Sequence, residues 1–175
     1  MIASAPTDIT MTSKARVNRL LIAAKDTMAK VADCWAATPS EAGGVNVRVV
    51  GPIPGVPGEE DWTIWFATRR SSRKAADIRR SGLLTLGYQH HPDRAYVALI
   101  GGAVLIEDRR EIRDRWRENW RLYFPGGPDD PDTVFVRMNT RRIELCVPGV
   151  SPEPFGLRPS VIERGDDRSW RILSD

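Results

Sequence analysis

The hydrophobic pattern begins with one long stretch of helical period. Between residues 13 and 31, apolar side chains recur every three or four positions, and Thr12 or Ser13 is suited to cap the first turn. We therefore predict an amphipathic helix in this stretch. Residues 1–11 show no periodic pattern, so we expect a flexible N-terminal tail followed by a single domain over residues 12–175.

From Cys34 onward the pattern changes to the two-residue period of β-strands, broken by turns rich in Gly, Pro and Asp. One segment, Trp62–Thr68, is apolar on both faces, so we expect it to be a central strand. In another segment, Gly101 and Gly102 interrupt an apolar run, which predicts a bulge or a sharp bend. The predicted strands are Cys34–Thr38, Val45–Val50, Trp62–Thr68, Leu83–Tyr88, Ala95–Glu107, Thr133–Met138, Arg142–Val147, Ser160–Glu163 and Trp170–Leu173.

Two shorter helices are predicted between strands. The first spans Ser71–Ser81, with a serine at its start and Gly82 where a C-terminal cap belongs. The second begins at Asp108, where Glu111 completes a capping-box pattern, and its apolar stripe is Ile112, Trp116, Trp120 and Tyr123. Because strands and helices do not alternate regularly, a doubly wound parallel sheet is disfavoured. We predict a mainly β fold, an antiparallel barrel with an N-terminal helix and two connecting helices.

Composition and charge narrow the class of protein. Apolar residues make up 41% of the chain, and 26 basic against 23 acidic residues give a net charge of +3, as in an ordinary globular domain. Neither a signal-peptide pattern nor an apolar run of membrane-spanning length is visible, so we predict a cytoplasmic protein with no membrane partner. Cys34 and Cys146 are expected to be buried, reduced thiols. The small, interleaved charge also argues against a nucleic-acid partner.

The strongest local signal for a ligand lies between the third strand and the helix that follows it. Thr68 ends the strand, Ser72 is suited to cap the helix, and Arg73 and Lys74 occupy its first turn. That turn carries free N–H groups and partial positive charge, so two cations there are unfavourable unless an anion is near. A phosphate group is the natural candidate. The alternative interpretation is a capped helix with two solvated cations.

Arg48 is a second candidate binding residue. It alternates with Val47 and Val49 along a strand, so its side chain lies on the opposite face, towards either a ligand at a barrel mouth or solvent. The sequence offers little support for a metal site or for a Ser-His-Asp catalytic triad. His90 and His91 are the sole histidines and have no set of further ligands at zinc-binding spacing, and no Gly-x-Ser-x-Gly elbow occurs. We therefore predict no metal site.

Taken together, these motifs resemble the pyridoxamine 5′-phosphate oxidase-like split-barrel superfamily. Trp65–Thr68 followed by Ser72–Lys74 is similar to its flavin-phosphate motif, and Arg48–Val50 is similar to the strand before that motif. The turn over Phe124–Asp132 is similar to the signature of the general stress protein branch of this superfamily. The resemblance extends from about residue 14 to about residue 147.

The resemblance implies an antiparallel split β-barrel that binds FMN at the interface of a homodimer. The residues it assigns to the cofactor are Arg48, Ser72, Arg73 and Lys74 at the phosphate, and Thr68, Arg158 and the backbone of Val49 and Val50 along the flavin. The function expected on this basis is that of an FMN-binding flavoprotein with oxidoreductase activity on an unidentified small molecule. The flavin would supply the electron chemistry, and the protein would hold and tune it.

The sequence departs from the oxidase itself at several of its motif positions. Ile53 stands where the oxidase has the lysine that ends its Arg-x-Val motif, and Ile143–Cys146 lacks the tryptophan of the corresponding stretch. The Arg-x-His pair that holds the oxidase's substrate phosphate corresponds to Phe155–Leu157, which has no cation. We therefore do not expect true pyridoxamine phosphate oxidase activity. The alternative to an enzyme is a non-enzymatic stress-response module that binds flavin, haem or a deazaflavin on the same fold.

Overall fold

The computed structural model describes residues 12–53 and 58–173. Within those ranges the helices are α1 (Ser13–Ala29), α2 (Arg73–Ser81) and α3 (Arg109–Arg115), and two 3-10 helices span Glu118–Leu122 and Gly127–Asp129. The strands are β1 (Cys34–Pro39), β2 (Val45–Val50), β3 (Thr63–Arg69), β4 (Leu83–His90), β5 (Ala95–Ile106), β6 (Thr133–Cys146), β7 (Ser160–Arg164) and β8 (Trp170–Ile172). The predicted tail over residues 1–11 lies outside the described residues.

All eight strands belong to one antiparallel sheet. Its order is β2-β1-β4-β5-β6-β7-β8, and β3 lies beside β6. Strand β6 is long enough to hold two partners on one edge, because Thr133–Asn139 pairs with β3 and Arg142–Leu145 pairs with β7. Strand β5 runs along its other edge. The predicted mainly β, antiparallel fold with an N-terminal helix and two connecting helices is confirmed.

A bulge opposite Gly101 keeps β5 and β6 paired along their length. The register shifts between Ile100 and Gly101, which face Arg142 and Thr140, as the two glycines predict. A Cβ atom at residue 101 would lie 2.1 Å from the carbonyl oxygen of Asn139, so only glycine fits. The strands predicted over residues 133–138 and 142–147 are therefore one strand, since the bulge lets β6 bend without leaving the sheet.

Strand β3 lies at an edge of the sheet, whereas its apolar sequence predicted a central strand. It pairs with β6 on one side, and on the other side of its described length one bridge joins Ile53 to Trp65. Both faces are apolar because each packs against a different cluster. Phe66 belongs to the main core, while Trp65 belongs to a smaller cluster with Ile112 and Phe135.

The main core lies between α1 and the sheet. Leu20 and Ala24 of α1 are buried against Phe66, Leu86 and Leu99, and each fully buried large apolar side chain stabilises the fold by about 1.5–3 kcal/mol. Helix α2 packs against β1 and β5 at the neighbouring end of the sheet. No helix in the described ranges is long and apolar enough to span a bilayer.

The second connecting helix is shorter than its apolar stripe predicted. It ends at Arg115, and Trp116 takes an extended conformation with φ −62° and ψ 142°. The chain resumes as the 3-10 helix over Glu118–Leu122. Of the predicted stripe, Ile112 alone is fully buried. The break leaves Trp120 free to lie against the space between β2 and β3, where the candidate site is found.

Candidate functional site

The candidate site is a cavity of about 560 Å³ in the gap between β2 and β3. These strands are consecutive in the chain but are not neighbours in the sheet, so each presents an edge without a regular partner strand. Unpaired N–H and C=O groups along such edges are available to a ligand. The cavity is lined by Asp33, Val49, Val50, Gly51, Ile53, Ala67, Thr68, Arg69, Ser72, Lys74, Trp120, Tyr123 and Phe124.

One end of the cavity is the start of helix α2. Ser72 is its N-cap, and the Ser72 hydroxyl accepts a hydrogen bond from the backbone N–H of Ala75 at 3.2 Å. The hydroxyls of Thr68 and Ser72 lie 3.2 Å apart, so β3 and α2 present two linked hydroxyls to the cavity. The first turn of α2 holds no acidic residue. This end therefore combines hydroxyl donors, the positive end of a helix and a cation, which suits an anion.

Lys74 supplies the cation at this end. Its ammonium lies 5.3 Å from the centre of the Phe66 ring, and no carboxylate of the described residues is within ion-pair distance. Burial, together with the nearby charge of Arg48, lowers the pKa of Lys74 from 10.5 to about 8. The free site thus holds a lysine whose charged form is disfavoured and which an anion would stabilise.

Arg48 lies behind this end rather than on the cavity wall. Its Nη2 donates to Thr38 Oγ1 at 3.2 Å and lies 3.7 Å from Asp77 Oδ2. Hydrogen bonds from Asn46 and Thr38 hold the pKa of the Asp77 carboxyl below its usual value. Because the ionised Asp77 carboxylate lies beside Arg48, it compensates the charge of Arg48. It does not pair with Lys74.

The predicted binding residues separate into two groups. The structure brings Val49, Val50, Thr68, Ser72 and Lys74 together around the cavity, with Arg48 behind them. Arg73 is exposed on α2 and Arg158 is exposed before β7, and neither lines the cavity within this chain. The described contact of Arg158 is its carbonyl oxygen, 4.0 Å from Cys146 Sγ.

Sequence reasoning missed the other end of the cavity. Arg69, Trp120, Tyr123 and Phe124 line it, and Arg69 Nη2 donates to the carbonyl oxygen of Tyr123 at 3.3 Å. The sequence pattern places Trp120 and Tyr123 on the apolar stripe of a helix and begins a turn at Phe124. An available signal was the concentration of aromatic residues in Trp116–Phe124, where four of nine residues are aromatic.

Metal and thiol chemistry find no support in the described part of the chain. No group of three or more His, Cys, Asp or Glu side chains there is arranged to hold a metal ion. Cys34 and Cys146 are free and buried. Burial raises the pKa of the Cys34 thiol to about 11, which makes it a poor nucleophile at neutral pH.

The open sheet with a cavity in its gap defines a split β-barrel protein. Residues 24–145, more than half of the chain, match the family model described as pyridoxamine 5′-phosphate oxidase like, and the chain belongs to that family. This confirms the resemblance seen in the sequence. No curated protein shows significant sequence similarity to the chain.

Solved structures share this fold at low sequence identity. A Clostridium acetobutylicum protein related to general stress protein 26 superimposes with a TM-score of 0.69 at 17% identity, over 83% of this chain and 94% of that one. General stress protein 26 of Bacillus anthracis gives 0.61 at 17%, over 89% and 99%. A pyridoxamine 5′-phosphate oxidase-related, FMN-binding protein of Nostoc punctiforme gives 0.66 at 14%, over 90% and 96%.

Proposed function

We propose that the chain binds FMN in the cavity between β2 and β3 and acts as an oxidoreductase on a small molecule. The observation that carries this proposal is Lys74, a cation beside the start of a helix with no carboxylate partner in the described residues and a lowered pKa. A phosphate dianion supplies the missing charge and accepts hydrogen bonds from the helix start. Membership of the family and the FMN-binding Nostoc relative support FMN as the ligand.

The residues present fit the cofactor at both its polar and its apolar parts. Lys74, Ser72 and the N–H groups of the first turn of α2 would hold the phosphate, while Val50 and Ala67 offer an apolar surface to the ring system. The free edge of β2 at Gly51 offers backbone groups to the polar edge of the ring. When bound, FMN would supply hydride or electron transfer, and these residues would bind it, orient it and exclude water.

A second copy of the chain completes the site in this proposal. One face of the sheet carries a patch of exposed apolar side chains, although most such residues elsewhere in the described chain are buried. Val49 belongs both to this patch and to the cavity wall, so a partner seated on the patch would also cover the cavity. We call this patch the apolar sheet face; it consists of Trp35, Val45, Val47, Val49, Leu83 and Tyr96.

Comparing FMN with riboflavin tests the phosphate assignment directly. We expect the protein to bind FMN about 10- to 100-fold more tightly than riboflavin, since charge-assisted hydrogen bonds contribute about 1.5–3 kcal/mol. Lys74→Ala should remove a large part of this preference, while Ser72 and the N–H groups of α2 keep FMN somewhat more tightly bound than riboflavin. Lys14→Ala is the matched control, because Lys14 is also the second residue of its helix, α1, but is exposed and lies outside the cavity. Equal affinity of the wild-type protein for both flavins would refute the assignment.

A turnover assay separates an enzyme from a binding module. The flavin-loaded protein is mixed with NADH or NADPH and an electron acceptor, and consumption of the reductant is followed. Turnover that depends on bound FMN supports the oxidoreductase. Tight FMN binding without turnover on a panel of reductants and acceptors favours a module that stores or senses flavin. Failure to bind FMN, with haem or a deazaflavin bound instead, would replace the cofactor in the proposal.

A further inference from the structure

The cavity has a second polar end, which the proposed position of FMN does not use. Thr68 and Arg69 are successive residues of β3, so their side chains point to opposite faces of the strand. The Thr68 hydroxyl meets Ser72, whereas the Arg69 guanidinium meets the carbonyl oxygen of Tyr123. The wall formed by β3 therefore presents a phosphate-binding end and a separate guanidinium end.

Aromatic side chains surround the guanidinium end. Trp120, Tyr123 and Phe124 line the cavity there. Trp120 is held from behind by Phe135, with ring centroids 5.9 Å apart at 87°, and Phe124 packs on Trp116 at 6.4 Å and 74°. The Tyr123 side chain is 65% exposed, so its ring is free to contact a ligand. A fixed aromatic wall of this kind suits a flat, unsaturated ring.

The positive charge of Arg69 is not neutralised by an ion pair in the described part of the chain. The described hydrogen bond of its guanidinium goes to the neutral carbonyl of Tyr123. Two carboxylates, those of Asp132 and Asp130, border the adjoining smaller cavity, but neither lies within ion-pair distance of the guanidinium. Asp132 accepts hydrogen bonds from the Ser71 N–H at 2.8 Å and the Ser71 hydroxyl at 3.0 Å, and Asp130 accepts one from the Asp132 N–H at 2.8 Å. Arg69 is therefore available to an acidic group on a ligand.

We infer that Arg69 and the aromatic wall of Trp120, Tyr123 and Phe124 form the substrate subsite, and that it takes a planar aromatic carboxylate. The inference rests on the proposed FMN function and adds the chemical class of the substrate. The ring would lie against the aromatic wall while the carboxylate meets the Arg69 guanidinium. Because Lys74 lies beside Phe66 and Arg69 lies beside Tyr123, the flavin phosphate and the substrate carboxylate would meet different cations.

The test uses 1-naphthoate as the probe and its uncharged analogue 1-naphthamide as the comparison. Each is titrated into FMN-loaded protein, and the flavin absorbance band and equilibrium dialysis report its binding. We expect naphthoate to bind about 10- to 100-fold more tightly than naphthamide, and Arg69→Gln, compared after loading with FMN, to remove that difference. Arg70→Gln is the matched control, because Arg70 pairs with Glu107 and does not line the cavity.

A second variant tests the aromatic wall separately from the charge. Tyr123→Ala should weaken both probes by a similar factor, about five-fold, because it removes ring contact and leaves the guanidinium in place. Naphthoate binding that is undetectable, or that is equal in the wild-type protein and Arg69→Gln, overturns the subsite while FMN binding stands. A wild-type protein that does not bind FMN overturns the proposed function, and the subsite with it.

Discussion

The sheet contains two contrasting strand pairs: β5 and β6 are hydrogen-bonded along their length, whereas β2 and β3 are separated by a gap. Strands β5 and β6 pair from Tyr96 opposite Cys146 to Ile106 opposite Phe135, with one bulge. We call this the closed seam. Between β2 and β3, the open seam, one described bridge joins Ile53 to Trp65. In the closed seam the backbone N–H and C=O groups of the two strands pair with each other. In the open seam those groups at the strand edges are available to a ligand or a partner.

The side chains also differ between the two seams: those of the closed seam are mostly buried and apolar, whereas those of the open seam include charged and exposed residues. Along the closed seam most of the inward residues are apolar and buried, and at Gly101 a side chain would clash with the backbone of the neighbouring strand. Along the open seam lie the cavity, the cations Lys74 and Arg69, and the exposed valine Val49. The candidate binding residues are therefore concentrated where strand pairing stops, because uncompensated charges and unpaired strand edges are costly in a closed core.

The largest effect is expected from filling the closed seam at Gly101. In Gly101→Ala the new Cβ would lie 2.1 Å from the Asn139 oxygen and 3.0 Å from Thr140 Cα, both backbone atoms of the bulge. We expect the free energy of unfolding to fall by about 4 kcal/mol or more. Urea denaturation followed by circular dichroism measures this change.

The neighbouring glycine gives the matched control for that experiment. A Cβ at Gly102 would lie 3.7 Å from the Gly82 oxygen, which is ordinary van der Waals contact. Gly102→Ala should therefore change the free energy of unfolding by less than about 1 kcal/mol. Equal loss in the two variants would show that residue 101 is not a point of special closeness in the seam.

The next largest effect is expected on the assembly proposed to cover the open seam. Val47 lies in the apolar sheet face with 57% of its surface exposed, so Val47→Asp would bury an unpaired carboxylate in a dimer. We expect the dimer dissociation constant to rise roughly 100-fold. Ile22→Asp is the control, since Ile22 is 60% exposed on α1, away from that face. Sedimentation equilibrium that finds a wild-type monomer, or equal dissociation of both variants, would contradict the prediction.

The parts of the molecule that sequence reasoning predicted are those determined by neighbours in the chain. The end of the cavity at the start of α2 could be predicted because Thr68, Ser72 and Lys74 lie within seven residues and belong to one strand-to-helix connection. The bulge was visible because Gly101 and Gly102 interrupt an apolar run. Local signals of this kind survive without knowledge of the tertiary structure.

The parts that sequence reasoning missed depend on contacts between distant segments. The guanidinium end joins Arg69 to Tyr123, more than fifty residues later, after a helix break at Trp116 that no Gly or Pro announces. Arg73 was grouped with Lys74, but successive helical residues differ by about 100° around the axis, so only Lys74 faces the cavity. The edge position of β3 could not be predicted, because both of its faces are apolar and such a pattern is typical of a central strand.

A smaller effect is expected from the hydroxyl that links β3 to α2. Ser72→Ala removes the N-cap of α2 and the contact with Thr68, so we expect about 1 kcal/mol of lost stability and roughly five-fold weaker FMN binding. Thr12→Ala removes the corresponding N-cap of α1, where the Thr12 side chain accepts from the Ala15 N–H at 3.3 Å. It should lose similar stability without any change in FMN affinity. If both variants bind FMN equally, Ser72 acts as a helix cap alone.

The smallest effect is a pH dependence at Lys74. In the free protein its pKa is lowered from 10.5 to about 8, and a bound phosphate would raise it again. FMN affinity should therefore be greatest below pH 8 and fall as pH rises, about two-fold between pH 7 and pH 8. Isothermal titration calorimetry at both values measures the ratio. Riboflavin, which lacks the phosphate, should show no such loss, and a fall of equal size for both flavins would place the titrating group elsewhere.

The same lysine should affect flavin-free stability with the opposite sign. Since the pKa of Lys74 is lower in the folded chain than in the unfolded chain, the unfolded state binds more protons between pH 8 and 10.5. The contribution of Lys74 to the free energy of unfolding therefore rises with pH across that window. Urea denaturation of the wild-type protein and Lys74→Met at pH 8 and pH 9 isolates it, because other titrating groups cancel in the difference. A wild-type slope no steeper than that of the variant would show that Lys74 is not disfavoured as a cation in the open seam.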